Sequence, residues 1–204
     1  MLRKQIVEVG KLLYEKDLTC ATSGNISVKT DDGIFITASG TALGFLKLNE
    51  IVLLDYDGNI LAGGRPSIEK MLHVEIYKQR PDVRAIIHTH PVNLTTFATC
   101  HEPLNAPIMS ENILYFEDIP VAPYAMLSSQ ELVYYTCEYL KNRDVVLMAN
   151  HGAIAIAESL EKAFLKMETA EYYAKVTLNT KILGNPKHLS EKDVQDLINL
   201  KNSK

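Results

Sequence analysis

The feature that most constrains this chain is an apolar run that ends in two histidines. Residues 83–87 are typical of a buried β-strand, and His88-Thr89-His90-Pro91 follows the run directly. Side chains two positions apart share one face of a strand, so His88 and His90 project together, with Cα atoms roughly 7 Å apart. Pro91 ends the strand because proline has no N–H to donate to a ladder. The pattern predicts two imidazoles at the end of a buried strand.

A second apolar run, residues 145–149, leads into a glycine turn that contains His151. This histidine can reach the first pair, whereas an isolated pair is more often solvated or bonded to nearby carbonyls. Upstream, residues 66–69 are expected to open a helix and to place Glu69 in its first turn. Three histidines and a carboxylate, without thiolates, are typical of a catalytic metal site that keeps positions open for substrate.

Composition narrows the class of protein. The 204 residues are 47% hydrophobic, which predicts one globular domain over residues 1–204. A net charge of −4 with no basic stripe argues against a nucleic-acid partner, and the apolar runs are too short to span a membrane. The three cysteines, Cys20, Cys100 and Cys137, are too widely spaced for a disulfide framework or a thiolate cluster. We therefore expect a cytoplasmic protein.

Three small-residue turns are candidate phosphate sites: Ser23-Gly24-Asn25, Ser39-Gly40-Thr41 and Ser67 at an expected helix start. Glycine lets the backbone approach a ligand closely, and a helix N-terminus favours an anion. Each turn is also an ordinary turn or an ordinary N-cap when considered alone. Their interest lies in occurring together with a metal donor set.

Periodicity and turn residues predict the remaining elements. Helices are expected at 2–16, from Ser67 to 79, at 92–99, from the cap at 128–129 to 141, at 159–182, and at 190–201, the last with Asp193 in a capping box. Residues 101–123 are expected to be irregular. His73 is interpreted as a surface histidine, with orientation of Glu69 as the alternative.

Taken together, the motifs resemble the class II aldolase/adducin family in order and spacing: Ser23-Gly24-Asn25-Ile26-Ser27, Thr37-Ala38-Ser39-Gly40, Pro66-Ser67-Ile68-Glu69, His88-Thr89-His90, Ile119-Pro120-Val121-Ala122-Pro123-Tyr124 and Asn150-His151-Gly152. The resemblance implies an α/β fold, a three-layer α/β/α sandwich around a mainly antiparallel central sheet. It also implies a homo-oligomer, since the family's aldolases are cyclic homotetramers with active sites between subunits.

The resemblance also implies residue roles. His88, His90 and His151 match the ligands of Zn²⁺ or another divalent metal, and Glu69 matches the catalytic acid/base that also visits the metal. The phosphate-binding positions match Gly24, Asn25, Ser39, Gly40 and Ser67. The implied reaction is reversible cleavage of a ketose 1-phosphate, L-fuculose 1-phosphate above all, to dihydroxyacetone phosphate and an aldehyde such as L-lactaldehyde.

Two positions depart from the pattern of these aldolases. Ile68 stands where a second phosphate-binding serine is usual, and Met109 stands near the tyrosine expected as proton donor, so Tyr115 is the candidate for that role. Several reactions on the same scaffold stay open: cleavage of a deoxy- or methylthio-pentulose phosphate, 4-epimerisation of a pentulose 5-phosphate, dehydration of methylthioribulose 1-phosphate, and decarboxylation of a sugar-acid phosphate. The intact histidines and Glu69 disfavour a non-catalytic adducin-like module.

Overall fold

One eight-stranded sheet forms the centre of the molecule. A computed structural model describes residues 1–203; the last residue of the predicted domain, Lys204, lies outside the described residues. The strands are β1 (Asn25–Thr30), β2 (Gly33–Thr37), β3 (Ile51–Leu54), β4 (Ile60–Ala62), β5 (Ala85–Thr89), β6 (Val121–Ala122), β7 (Val145–Met148) and β8 (Gly152–Ala157). Their order is β4-β3-β2-β1-β5-β8-β7-β6, and within residues 1–203 every neighbouring pair is antiparallel except the parallel pair β6 and β7.

Helices cover both faces of this sheet. They are α1 (Leu2–Glu15), α2 (Lys70–Gln79), α3 (Val92–Cys100), α4 (Ser110–Tyr115), α5 (Gln130–Leu140), α6 (Leu160–Leu183) and α7 (Glu191–Asn202), with short 3-10 turns at Leu43–Phe45 and Leu48–Glu50. One core forms between the sheet and α1, α3 and α6, and a second forms between the sheet and α2 and α5. The expected three-layer α/β/α architecture with a mainly antiparallel sheet is confirmed.

The two central strands owe their apolar sequences to burial on both faces. In β5, Ala85 and Ile87 belong to the core beneath α6, whereas Ile86 belongs to the core beneath α2 and α5. In β8, three alanines face α3 and α6, and Ile154 and Ile156 fill the opposite layer. A strand that buries both faces needs apolar residues throughout, so its sequence reads as a run rather than an alternation. The ends of these strands place the histidines together at one end of the sheet.

Helix α2 begins later than the sequence predicts. It starts at Lys70 with Glu69 as its N-cap, so Glu69 does not lie in the first helical turn and Ser67 is not the cap. The backbone N–H of Ser67 donates to the carbonyl of Thr37 at 3.0 Å, which ties Ser67 to the end of β2. A turn from Ser67 to Lys70, closed by a 3.1 Å hydrogen bond, therefore precedes the helix.

The structure differs from the sequence prediction in one further segment and agrees with it at the start of α7. The segment expected to be irregular, 101–123, instead contains α4 and the short strand β6, which pairs with β7. The capping box at the start of α7 is confirmed, with reciprocal hydrogen bonds between Ser190 and Asp193. Among residues 1–203, no helix combines the length and the apolar character that crossing a bilayer requires.

Candidate metal centre and active site

Three imidazoles converge at the end of the sheet. The Nε2 atoms of His88 and His90 lie 3.2 Å apart, and the rings of His88, His90 and His151 have centroids 4.7 to 5.0 Å from one another. One ligand nitrogen from each ring falls within a group no wider than 4.8 Å. The sequence prediction that these three histidines meet is confirmed, and their arrangement is consistent with a metal site.

The backbone sets where each ring lies. His88 is in β5, paired with Asn25 of β1 and Ile154 of β8, and its Nδ1–H donates to the carbonyl of Ala153 at 2.9 Å. That bond fixes the tautomer and leaves Nε2 for the centre, as a second-shell carbonyl does for many metal-binding histidines. His90 follows the strand end, and His151 lies in the turn between β7 and β8.

Two glycines permit this close approach. Gly152 lies against the ring of His90, where an added Cβ would come 2.4 Å from His90 Cδ2 and 2.7 Å from the carbonyl oxygen of Thr89. Gly24 has φ +82°, and a Cβ there would lie 2.6 Å from the carbonyl oxygen of His88. Both positions therefore exclude any side chain, which explains why glycine flanks the site on two sides.

The carboxylate of Glu69 lies beside the three imidazoles. Its Oε2 lies 3.3 Å from His88 Nε2 and accepts a 2.7 Å hydrogen bond from the side-chain amide of Asn25, while Oε1 lies 3.6 Å from His151 Nε2. The carboxylate is 7% exposed, and Oε1 has no hydrogen-bond partner among the described residues. A buried carboxylate oxygen without a donor is costly, so this oxygen is placed for a cation, a proton or a substrate hydroxyl.

Burial keeps the three histidines neutral. It lowers the pKa of His88 to about 4, although the hydrogen bond to Ala153 acts in the opposite direction. It also lowers the pKa values of His90 and His151 to about 4; protonation of His88 would lower both further, whereas the Glu69 carboxylate raises them. Neutral imidazoles at neutral pH have lone pairs available to a metal, whereas protonated rings do not.

These residues fit a divalent cation. Tetrahedral Zn²⁺ with Zn–N bonds near 2.05 Å holds its ligand nitrogens about 3.3 Å apart, close to the 3.2 Å between His88 and His90. The buried Glu69 Oε1 has no hydrogen-bond partner among the described residues, and His151 Nε2 lies 3.6 Å from it, beyond hydrogen-bond distance. A bound cation would satisfy both the crowded nitrogens and that oxygen.

The three histidines and Glu69 line a cavity of about 250 Å³, called here the metal cavity. Its lining contains all of the phosphate-binding candidates: Gly24, Asn25, Ser39, Gly40 and Ser67. The hydroxyl oxygen of Ser67 accepts the N–H of Glu69 at 3.2 Å, which leaves the hydroxyl proton for another acceptor. Ile68 and Leu127 add apolar surface, each about half exposed. The sequence candidates thus meet at one site.

Tyr115, the candidate proton donor, lies elsewhere. It is at the C-terminal end of α4, is 63% exposed, and lines a different cleft of about 280 Å³. That cleft, called here the ion-pair cleft, is lined mainly by charged side chains: Arg80, Glu117, Asp118, Lys141, Arg143, Asp144 and Lys201. Tyr115 therefore does not line the metal cavity of its own chain.

Sequence reasoning misjudged His73. The side chain is fully buried rather than at the surface, and its Nδ1 is hydrogen-bonded to Ser27 Oγ at 2.6 Å, which in turn lies 2.8 Å from Tyr77 Oη. Burial and the neighbouring His88 lower its pKa to about 3. The four-residue spacing of Glu69, His73 and Tyr77, which puts them on one helix face, was the available signal for this buried network.

Comparisons with known proteins agree with this geometry. The protein-family model for the class II aldolase and adducin N-terminal domain matches residues 4–178 of the chain. The chain is 35% identical to an L-fuculose phosphate aldolase of Methanocaldococcus jannaschii over 87% of this chain and 96% of that protein. It is 34% identical to a 5-deoxy-D-ribulose 1-phosphate aldolase of Bacillus thuringiensis over 96% of this chain and 92% of that protein.

A solved structure of an L-fuculose 1-phosphate aldolase superimposes with a TM-score of 0.90 at 34% identity, and the match covers 98% of this chain and 95% of that one. The likeness therefore extends through the sheet, both helical layers and the histidine-bearing turns. Together with the family match over residues 4–178, it supports one conclusion. The chain belongs to the class II aldolase/adducin family.

Proposed function

We propose that this chain is a metal-dependent aldolase that reversibly cleaves a ketose 1-phosphate. L-Fuculose 1-phosphate is the leading substrate, and the products would be dihydroxyacetone phosphate and L-lactaldehyde. Two proteins at 34% identity, one named L-fuculose 1-phosphate aldolase and the other 5-deoxy-D-ribulose 1-phosphate aldolase, support this class of substrate. Zn²⁺ is the proposed metal, because three imidazoles and a carboxylate form a typical catalytic zinc set.

The observation that carries the proposal is the content of the metal cavity. One space of about 250 Å³ joins three metal-binding nitrogens, an unpartnered carboxylate oxygen, and hydroxyl- and glycine-rich turns suited to a phosphate. An aldolase of this class needs all three: a cation, a proton carrier and a phosphate anchor. A non-catalytic module would need none of them.

His88, His90 and His151 would hold the cation, with Glu69 beside them. When bound, a divalent cation supplies Lewis-acid polarisation of the substrate's carbonyl and hydroxyl oxygens. In the cleavage direction the C4 hydroxyl loses its proton, the C3–C4 bond breaks with its electron pair left on C3, and C3 then takes up a proton. We assign the proton transfer at C3 to Glu69, whose Oε2 is held by Asn25 and whose Oε1 is free of protein donors.

The phosphate would bind in the metal cavity at its glycine- and serine-rich turns. Gly24 and Gly40 have φ of +82° and +76° and bring backbone close to the cavity, and Ser39 and Ser67 supply hydroxyls. The cradle contains no lysine or arginine, so its hold on the phosphate would come from hydroxyls and backbone N–H groups. Anchoring one end of the substrate this way fixes C3 and C4 relative to Glu69.

Transfer of the C4 hydroxyl proton requires a second group. Tyr115 is exposed and lies outside the metal cavity of its own chain, so we propose that it serves the site of a neighbouring subunit in a cyclic homotetramer. Sedimentation of wild-type protein, followed by mixing of Tyr115→Phe with Glu69→Gln subunits, tests this. Recovery of activity in mixed oligomers supports a shared site, and equal activity of Tyr115→Phe and wild type contradicts it.

A substrate panel tests the reaction itself. Purified zinc-loaded protein is incubated with L-fuculose 1-phosphate, 5-deoxy-D-ribulose 1-phosphate and pentulose 5-phosphates, and release of dihydroxyacetone phosphate is followed by a coupled reductase. We expect triose phosphate from a ketose 1-phosphate and none from the Glu69→Gln control. A product that retains every substrate carbon, or loss of carbon dioxide, contradicts the aldolase and favours an epimerase, a dehydratase or a decarboxylase.

5-Deoxy-D-ribulose 1-phosphate is the second candidate substrate. The relative named for it matches 96% of this chain, a longer span than the 87% matched by the Methanocaldococcus protein. The two substrates differ in the aldehyde released, not in the phosphate or the bond that breaks. The ratio of kcat/KM for the two sugars decides between them.

A further inference from the structure

Helix α3 begins immediately after a metal-binding histidine without a cap of its own. His90 is followed by Pro91, the N-cap position of α3, which offers no side-chain hydrogen bond. The first N–H groups of a helix have no partner within the helix and usually receive one from a serine, threonine or aspartate at the N-cap. Proline cannot provide it, so the partner must come from elsewhere in the fold.

Glu171 of α6 provides that partner. Its Oε1 accepts from the backbone N–H of Asn93 at 3.0 Å and from the side-chain amide of Asn93 at 2.6 Å, and its Oε2 accepts from the N–H of Leu94 at 2.8 Å. A carboxylate at a helix N-terminus also interacts favourably with the helix dipole. The longest helix of the fold thus holds the first turn of α3, directly beyond His90.

The C-terminal end of α3 is hydrogen-bonded to the turn between β7 and β8, which contains His151. The N–H of Asn150, the residue before His151, donates to the carbonyl of Ala98 at 3.2 Å, and Asn150 Oδ1 lies 2.7 Å from His101 Nε2. Asn150 has φ +55°, a left-handed conformation that these two contacts help to hold. Helix α3 therefore links the backbone next to His90 with the backbone next to His151.

We propose that Glu171 is a positioning residue for the metal centre, and that it acts through α3. Its three hydrogen bonds fix the first turn of the helix and so hold His90 at the separation from His151 that metal binding requires. His101 performs the same task, more weakly, at the other end. The inference rests on the proposed metal centre, but it concerns residues that touch neither metal nor substrate.

The chain offers a matched control in Glu168. This residue lies on the same helix one turn earlier, and its carboxylate pairs with Lys16 at the surface, 2.8 Å away. Glu171→Gln and Glu168→Gln each remove one negative charge from α6, so their effects on overall charge are equal. Only Glu171→Gln removes a charged acceptor from α3.

The experiment measures metal binding by the apo-protein. Zn²⁺ affinity is determined by competition with a chromophoric chelator, the Co²⁺ form is examined by visible absorption, and folding of each variant is checked by circular dichroism. We expect Glu171→Gln to weaken Zn²⁺ binding about 10-fold or more and to change the Co²⁺ bands, as loss of second-shell partners does in other metal sites. Glu168→Gln should stay within about twofold of wild type, and His101→Ala should lose about threefold.

Each outcome decides a different question. Wild-type affinity and an unchanged Co²⁺ spectrum in Glu171→Gln overturn the positioning role, while the proposed function stands. A wild-type protein that binds no divalent metal overturns the proposed function and the inference together. Should Glu171→Gln fail to fold, His101→Ala on the exposed end of α3 decides, and unchanged affinity there contradicts the inference.

Discussion

The metal cavity and the ion-pair cleft are depressions of similar size that both contain titratable side chains, but their polar groups are satisfied in opposite ways. In the ion-pair cleft the charged side chains pair with one another: Arg80 with Asp144, Arg143 with Asp118, and Lys201 with Glu117. In the metal cavity, Glu69 Oε1, Asn25 Oδ1 and His151 Nδ1 are buried without partners among the described residues.

The difference separates architecture from function. A network whose charges are already paired needs no ligand. This one connects the segment after α4 with α7 and with the residues before β7. Unpartnered buried polar atoms cost free energy, so the three in the metal cavity are placed to be completed by a ligand. Substitutions and acid should therefore affect the metal cavity and the ion-pair cleft differently.

The largest effect is expected from removing a metal ligand. His151→Ala should weaken Zn²⁺ binding at least about 100-fold, because zinc sites share on the order of 10–16 kcal/mol among about four ligands. Aldolase activity should fall to background. Zinc content after dialysis and chelator competition measure the loss. Retention of one zinc per chain with wild-type affinity would show that His151 does not bind the metal.

Glu69→Gln should separate chemistry from metal binding. The three histidines remain, so the protein should still take up zinc, but loss of the proton carrier should lower kcat by about 10²- to 10⁴-fold. The amide is nearly the same size, so circular dichroism should not change. Single-turnover measurement of triose phosphate release checks the chemical step, and a kcat within a few fold of wild type contradicts the assigned role.

Acid should affect the two depressions in different pH ranges. Burial lowers the histidine pKa values from 6.5 to about 4, so the unfolded chain binds more protons than the fold below pH 6.5. Their contribution to the stability of the apo-protein is complete above pH 6.5 and is lost as the pH falls to about 4, by up to about 1.4 kcal/mol per pH unit for each histidine.

The ion-pair cleft should respond only in stronger acid. Burial raises the pKa of Asp144, but its hydrogen bonds and ion pairs with Lys166 and Arg80 outweigh burial and hold the pKa below the usual 3.8. Its contribution is therefore complete above pH 3.8 and is lost below. Urea unfolding of the apo-protein from pH 7.5 to 4.5 measures the range in which the buried histidines contribute, including His73, whose pKa burial lowers to about 3. Constant stability over that range contradicts the burial of neutral histidines.

A smaller effect is expected at the phosphate cradle. Ile68→Ser adds a hydroxyl to the metal cavity and should lower KM for a sugar phosphate about 3- to 10-fold, which corresponds to the roughly 1 kcal/mol of a typical net hydrogen bond. Ile68 is 53% exposed, so stability should change little. Steady-state kinetics with Ile68→Val as control measure the change. An unchanged KM would place the phosphate away from this turn.

The smallest effect is expected in the ion-pair cleft. Asp118→Asn breaks the pair with Arg143, in which both side chains are about one-third exposed. The cost in the free energy of unfolding should stay below about 1 kcal/mol, and zinc affinity and kcat should not change. Chemical denaturation and chelator competition measure both. A loss of metal affinity would show that the cleft is coupled to the site.

How far the sequence predicts this molecule depends on the range of the interactions. His88 and His90 were predictable because two-residue spacing on a strand puts side chains on one face, and Ser190 with Asp193 because a capping box is local. The late start of α2 was not, since a hydrogen bond from Ser67 to Thr37 decides it. Likewise, no local pattern indicates that Glu171 reaches Asn93, 78 residues earlier in the chain.

X-ray absorption at the zinc edge of the reconstituted protein tests the central claim most directly. Three imidazole nitrogens and at least one oxygen should surround the metal at about 2.0–2.1 Å, and His90→Ala should remove one nitrogen from this shell. Sulfur scattering near 2.3 Å, or a spectrum of hydrated zinc unchanged by His90→Ala, would contradict a metal centre built from His88, His90 and His151.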